Sequence, residues 1–158
     1  MAVISTAPAC IDALVERLRA VLPQEGDDAV KVFDGGPTRE SEVTADVICI
    51  AYSPDDDSVI TDTRTREQMS ADPDSERYDI IGLASSWMGE NPNAKAVRDR
   101  AYSLVDLLAA ELAGDQTLGG VVMRAFVSST TLGQSQTSKG AVATVTFTIT
   151  VRADTRRQ

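Results

Sequence analysis

Two glycine-bearing stretches are the first places to look for chemistry. KVFDGGPTRE, Lys31 to Glu40, sets a glycine pair after a short apolar run, and Gly133 to Gly140 carries Lys139 beside its second glycine. A phosphate loop of the G-x-x-x-x-G-K-[ST] type needs backbone N–H groups around the phosphate and a lysine after the glycine to meet its charge. The first stretch continues with Pro37, which has no N–H, then Thr38, Arg39 and Glu40, while the second puts its lysine before the glycine. Both read as turns. Asp34, Gly35, Gly36 and Pro37 are expected to end one strand and redirect the chain, since Asp-Gly and Gly-Pro pairs favour reversals.

The other reactive side chains form no working group. Asp55, Asp56 and Asp57 could gather a hard cation, but SPDDDSVITDTR lacks the alternating acids and central glycine of a calcium loop. Nothing nominates a carboxylate pair for glycoside hydrolysis among 24 acidic residues. Ser85 and Ser86 lack a G-x-S-x-G setting, and the chain contains no histidine. That absence removes the usual proton shuttle, the commonest transition-metal ligand and every Ser-His or Cys-His pair. Lys31, Lys95 and Lys139 are the only lysines, none in an evident apolar pocket. Cys10 and Cys49 have no C-x-x-C spacing and read as reduced core residues. The expectation is a non-catalytic chain with no metal and no cofactor.

The elements that would position any site come next. A chain of 158 residues fits one domain, 1–158, able to bury roughly 70% of its unfolded surface. With 42% hydrophobic but only 4% aromatic residues, its core is built from Val, Ile, Leu and Ala, leaving room for an oligomer to bury more. The net charge of −9 opposes general nucleic-acid binding, which rests on clustered Lys and Arg. MAVISTAPAC has no basic segment followed by a long apolar run, so no secretion signal is expected. No apolar stretch reaches the 18 or so residues of a membrane span.

Ile11, Leu14, Val15, Leu18, Val21 and Leu22 repeat at helical spacing until Pro23. Val30 to Phe33 reads as a strand, and Val47 to Tyr52, apolar at every position, as a strand covered on both faces. From Asp55 to Asp79 the composition turns acidic, and a mobile acidic loop over about 54–76 is expected. A third strand follows across Arg77 to Met88. Asn91 before Pro92 suits a helix start, and Ala94, Val97, Ala101, Leu104, Val105, Leu108 and Leu112 mark its apolar stripe. Gly114 is expected to end that helix in a left-handed conformation. Two last strands, Val121 to Ser129 and Ala141 to Ala153, are expected to be joined by a Ser/Thr/Gly loop over 129–140. The second alternates an apolar face with a threonine face, and at about 3.3 Å per residue it would run roughly 43 Å. The order α-β-β-β-α-β-β indicates an α+β fold, a mainly antiparallel sheet with two helices packed on one face.

These blocks in this order carry a resemblance. An N-terminal amphipathic helix, VKVFDGGP, DVICIAYS, ERYDIIGLASSWMGEN, a long helix from near Ala94, DQTLGG and GAVATVTFTITVRA together cover most of the chain. The chain resembles the tail terminator proteins of long-tailed bacteriophages, particularly the small versions of actinobacterial phages. The resemblance implies a homo-oligomeric ring of six that caps the tail tube, stops its elongation and offers a surface for joining the head. It implies the tail tube protein and a head-completion or neck protein as partners, and DNA passing through the lumen without specific binding. The implied location is the head-proximal end of the virion's tail, with assembly in the host cytoplasm; no catalytic residue is implied.

Within that resemblance, interface candidates follow from composition. Arg98, Arg100 and Arg152, with Arg156 and Arg157, are basic spots on an acidic chain, suited to an acidic patch on a neighbouring subunit. Thr130, Thr131, Gln134, Gln136 and Lys139 in the polar segment, and Thr146, Thr148 and Thr150 on the threonine face, are expected to meet a neighbour or the tube. The rival expectations are another neck ring component such as a head-completion adaptor, a non-viral ligand-binding or enzymatic α+β domain with a deep polar pocket, and a monomeric module binding through a sheet edge.

Overall fold

The structure, a computed structural model, describes residues 5–37, 46–55, 58–65, 74–89, 93–138 and 140–155. The elements run α1 (Ala7–Val21), β1 (Val30–Asp34), β2 (Asp46–Ile50), β3 (Ile60–Thr65), β4 (Asp74–Met88), α2 (Ala94–Gly114), β5 (Arg124–Thr137) and β6 (Gly140–Thr155). The main path of the sheet is β1-β2-β4-β6-β5, with β3 paired to β4 off that path. The β1–β2 pair is parallel and every other pair is antiparallel. This is the α+β fold expected, its two helices and five path strands in the order expected.

Both helices cover the same face. Leu14, Val15 and Leu18 of α1 and Val97, Leu104 and Leu108 of α2 join one core with Ile48, Ile50, Tyr78, Ile80 and the odd-numbered residues of β6 from Ala141 to Ala153. A strand directs alternate residues to one face, so the strict alternation in AVATVTFTITVRA delivers a continuous apolar strip to α2. On the opposite face, Val47, Cys49 and Leu83 make a small second cluster with Phe33 and Tyr52. All five residues of β2 are buried, as its unbroken apolar run requires of a strand with neighbours on both sides.

The helix ends depart from the sequence reading in two places. Asn93 caps α2, its side chain accepting the Ala96 N–H at 3.2 Å, while Asn91 and Pro92 lie outside the described residues. Gly114 is the last helical residue and is not left-handed; the positive φ angles come later, at Leu118, Gly119 and Gly120. Asp115 makes this possible. Its carboxylate accepts the Thr117 hydroxyl at 2.7 Å, the Gly119 N–H at 2.9 Å and Arg17 of α1 at 3.1 Å, so a side chain shapes the exit that glycine was expected to shape.

Two expected loops are partly strands. The acidic segment 54–76 contains β3 and the first residues of β4, with 56–57 and 66–73 outside the described residues. Glu76 there is 1% exposed, and Tyr78 and Ile80 share its face. The Thr6 N–H and hydroxyl donate to Glu76 Oε1 at 3.0 and 2.8 Å, so this carboxylate holds the start of α1, where the helix dipole favours negative charge. The segment 129–140 is likewise not an open loop: β5 continues to Thr137 and pairs with β6 as far as Gly140. Backbone pairing with a long partner outweighs the loop-like Ser/Gly/Gln composition, helped by the β-branched Thr130 and Thr131.

Candidate assembly surface

The surface takes shape from the bottom of the sheet upward. In the turn FDGGP, Phe33 to Pro37, the backbone must reverse tightly, and here Gly35 adopts φ +85 while its N–H donates to the Ile50 carbonyl at 2.8 Å. A Cβ on Gly36 would lie 2.7 Å from the Tyr52 ring, so the second glycine admits that ring. Asp34, Gly35, Gly36 and Pro37 thus close β1 against β2, and the pair's chemistry is conformational.

At the β1 edge three outward backbone groups are occupied. The Arg19 guanidinium donates to the Val32 carbonyl at 2.9 and 3.3 Å, Gln24 reaches the Val30 carbonyl at 3.4 Å, and the Val30 N–H donates to the Pro23 carbonyl at 2.9 Å. Beside this edge Asp12, Val15, Glu16, Arg19 and Asp34 line a shallow groove of about 250 Å³. Its three carboxylates make no ion pair among the described residues.

At the other edge β5 is long and largely uncovered. The Ala125 N–H donates to the Gln116 carbonyl at 2.8 Å, but from Val127 to Ser135 no outward backbone group has a partner among the described residues. VSSTTLGQSQT, Val127 to Thr137, contains neither a charge nor a proline, the usual devices that keep an edge from pairing. A register shift between Val127 and Ser129 marks a bulge near its start.

The expected interface residues fall as follows. Thr130, Gln134 and Gln136 are exposed on the helix side of β5, opposite Phe147, Ala143 and Ala141, and Thr131 is exposed on the back, opposite Thr146. Arg98 of α2 donates to Gln134 at 3.3 Å, so two of the candidates meet each other. Arg100 donates to Asp46 at 2.8 Å, and Ser86 donates to the same carboxylate at 2.7 Å, a junction of α2, β2 and β4. Thr146 and Thr148 are half-buried on the back face, whereas Thr150 is buried and its hydroxyl donates within the sheet to Asp79 at 2.8 Å, with the Ser128 hydroxyl also 2.8 Å away. Lys139, Arg156 and Arg157 lie outside the described residues.

Arg152 stands in company that the sequence did not reveal. It is directly opposite Arg124 of β5 on one side and Arg77 of β4 on the other, placing three arginines in one rung across the back of the sheet. All three are exposed, and none makes an ion pair among the described residues. Arg124 lies over the Phe126 ring at 4.8 Å. Only the register of three distant segments creates this rung, so no spacing along the chain signals it.

The thiols are withdrawn from chemistry. Burial pushes Cys10 up to about 11, with Glu76 adding to the rise and a Tyr78 hydrogen bond opposing it, and burial alone pushes Cys49 up to about 12. Among the described residues no group of three or more His, Cys, Asp or Glu side chains is placed to hold a metal, and no helix is long and apolar enough to cross a membrane. No protein-family model and no curated protein matches the chain.

Proposed function

We propose that this chain is a structural protein of a bacteriophage tail, a terminator that assembles as a ring of six on the tube, ends its elongation and presents the surface to which the head is joined. The observation that carries this reading is the inequality of the two sheet edges. One edge is short, guarded and acidic; the other is long, open and flanked by arginines. A molecule whose opposite sides differ in this way is suited to head-to-tail contacts, which close into a ring when the rotation permits. The ordered sequence blocks from VKVFDGGP to GAVATVTFTITVRA supply the phage context. The net charge of −9 suits a lumen through which DNA slides without adhering. Catalysis plays no part in this role, and the partners are the tube protein below and a neck protein above.

Tail length is the test. Phage assembling without this chain should produce tubes of uncontrolled length that fail to join heads, and complementation should restore a single length. Tubes of normal, uniform length in its absence would overturn the proposal.

A further inference from the structure

We infer that the arginine rung Arg77–Arg152–Arg124 is the docking site for carboxylates of a second copy of this chain, and that those carboxylates are Asp12, Glu16 and Asp34 in the groove at the opposite edge. The inference rests on the self-assembling part of the function proposed above and names the contact.

Three observations lead to it. Cross-strand neighbours on one face lie about 4.5–5.5 Å apart, and like charges placed there repel. The chain keeps three guanidinium groups in such a row, although it carries 24 acidic residues that could have neutralised them. The described arginines of the helices are by contrast engaged: Arg17 with Asp115, Arg19 with Val32, Arg98 with Gln134 and Arg100 with Asp46. A repulsive row left open fits a partner that supplies the missing negative charge.

The occupant follows from charge complementarity. The rung reaches β5 at one end of the sheet path, and the groove sits against β1 at the other end. Opposite charge on opposite flanks of one molecule lets each copy present its arginines to the acids of the next, a heterologous contact that repeats around a ring. Arg19 also lines the groove, but its guanidinium is turned onto the Val32 carbonyl, leaving acids in excess there. The uncharged run of β5 beside the rung lets two copies of an acidic chain approach without like-charge repulsion. An exposed contact of this kind is screened by salt, so assembly should weaken as ionic strength rises from about 0.05 to about 0.5 M.

The test is a charge swap on the full chain, read by sedimentation at low salt. The variant R124E/R152E carries an acidic rung and an acidic groove; D12K/E16K carries a basic rung and a groove turned basic. Each alone should lose at least about tenfold in self-association, the scale of a few exposed charge pairs reversed. Mixed one to one they should co-assemble, because each rung then meets a complementary groove. Circular dichroism should show the sheet intact in both, since all four positions are exposed. Association of either variant alone as strong as wild type, failure of the mixture to recover, or a wild-type chain that stays monomeric would each overturn the inference. So would a single-stranded oligonucleotide that binds wild type but not R124E/R152E and competes with no self-association. The tail-length experiment is independent of these outcomes, so loss of this contact and loss of the terminator reading are distinguishable.

Discussion

The β1 and β5 edges belong to one sheet but are finished differently. At β1, side chains and backbone from α1 and its exit occupy the N–H and carbonyl of Val30 and the carbonyl of Val32, and the strand is only Val30–Asp34. At β5, Arg124–Thr137, the outward groups from Val127 to Ser135 have no such cover among the described residues. Exposed edges invite pairing, and proteins that must stay apart blunt them. The fold therefore closes one flank and leaves the other available, and the difference separates what makes the chain stable from what would make it assemble.

The sharpest way to probe that separation is to compare a core position with an edge position. Phe147 is 1% exposed between α2 and the sheet, and Phe147→Ala should cost about 4 kcal/mol in denaturant unfolding. Thr131→Ala, on the open strand, should stay within about 0.5 kcal/mol. A large loss at Thr131 would mean that β5 is structural like the rest.

Arg100→Ala comes next. It removes the Nε donor from Asp46, whose side chain is 12% exposed, at the junction of α2 with β2 and β4. The expected cost is about 2 kcal/mol, since a mostly buried carboxylate loses a charged partner. Arg100 was expected at a subunit interface; a variant that unfolds more easily yet associates normally would place its main work inside the fold.

Arg19→Ala would unguard β1. It should cost about 1 kcal/mol and speed amide exchange in β1 while leaving β5 unchanged. If β1 then self-pairs and the chain aggregates, the guard has an anti-aggregation role as well.

Asp115 gives a test in pH. The Thr117 hydroxyl, the Gly119 N–H, Arg17 and the Thr117 N–H hold its carboxyl well below the usual carboxylate range. A folded-state pKa below the unfolded one contributes stability that is present above the unfolded value, about 3.9, and is lost as pH falls through the folded value. Wild type should therefore lose stability more steeply than Asp115→Asn below about pH 4, while parallel curves would detach Asp115 from the α2–β5 exit.

The smallest expected signal is at the thiols. With Cys10 raised to about 11 and Cys49 to about 12, neither should react with a thiol reagent at pH 8 until the chain unfolds. Fast reaction of Cys49 in native protein would show that the small cluster behind β2 opens.

How far the residues announced this architecture depends on where each pattern is written. The α2 stripe and the alternation of β6 are local patterns, and both elements formed where expected. The turn at Gly35 and Gly36 was legible for the same reason. β3 was not, because its residues ITDTRT sit in an acidic stretch and become a strand only by pairing with β4. Glu76 could have been found: it shares the period-2 face of Tyr78 and Ile80, a pattern the acidic composition masked. The second half of β5 was hidden because Ser, Gly and Gln have weak strand preference and take theirs from β6. The arginine rung lay furthest out of reach, since Arg77, Arg124 and Arg152 meet only through sheet register.

The most direct test of the central claim, that this chain closes upon itself through unlike edges, is its mass in solution. At low salt and rising concentration the chain should form a discrete species of about 101 kDa, six copies of the 16.8 kDa chain, with no larger series. A monomer at every concentration, or a two-fold dimer that stops there, would contradict it.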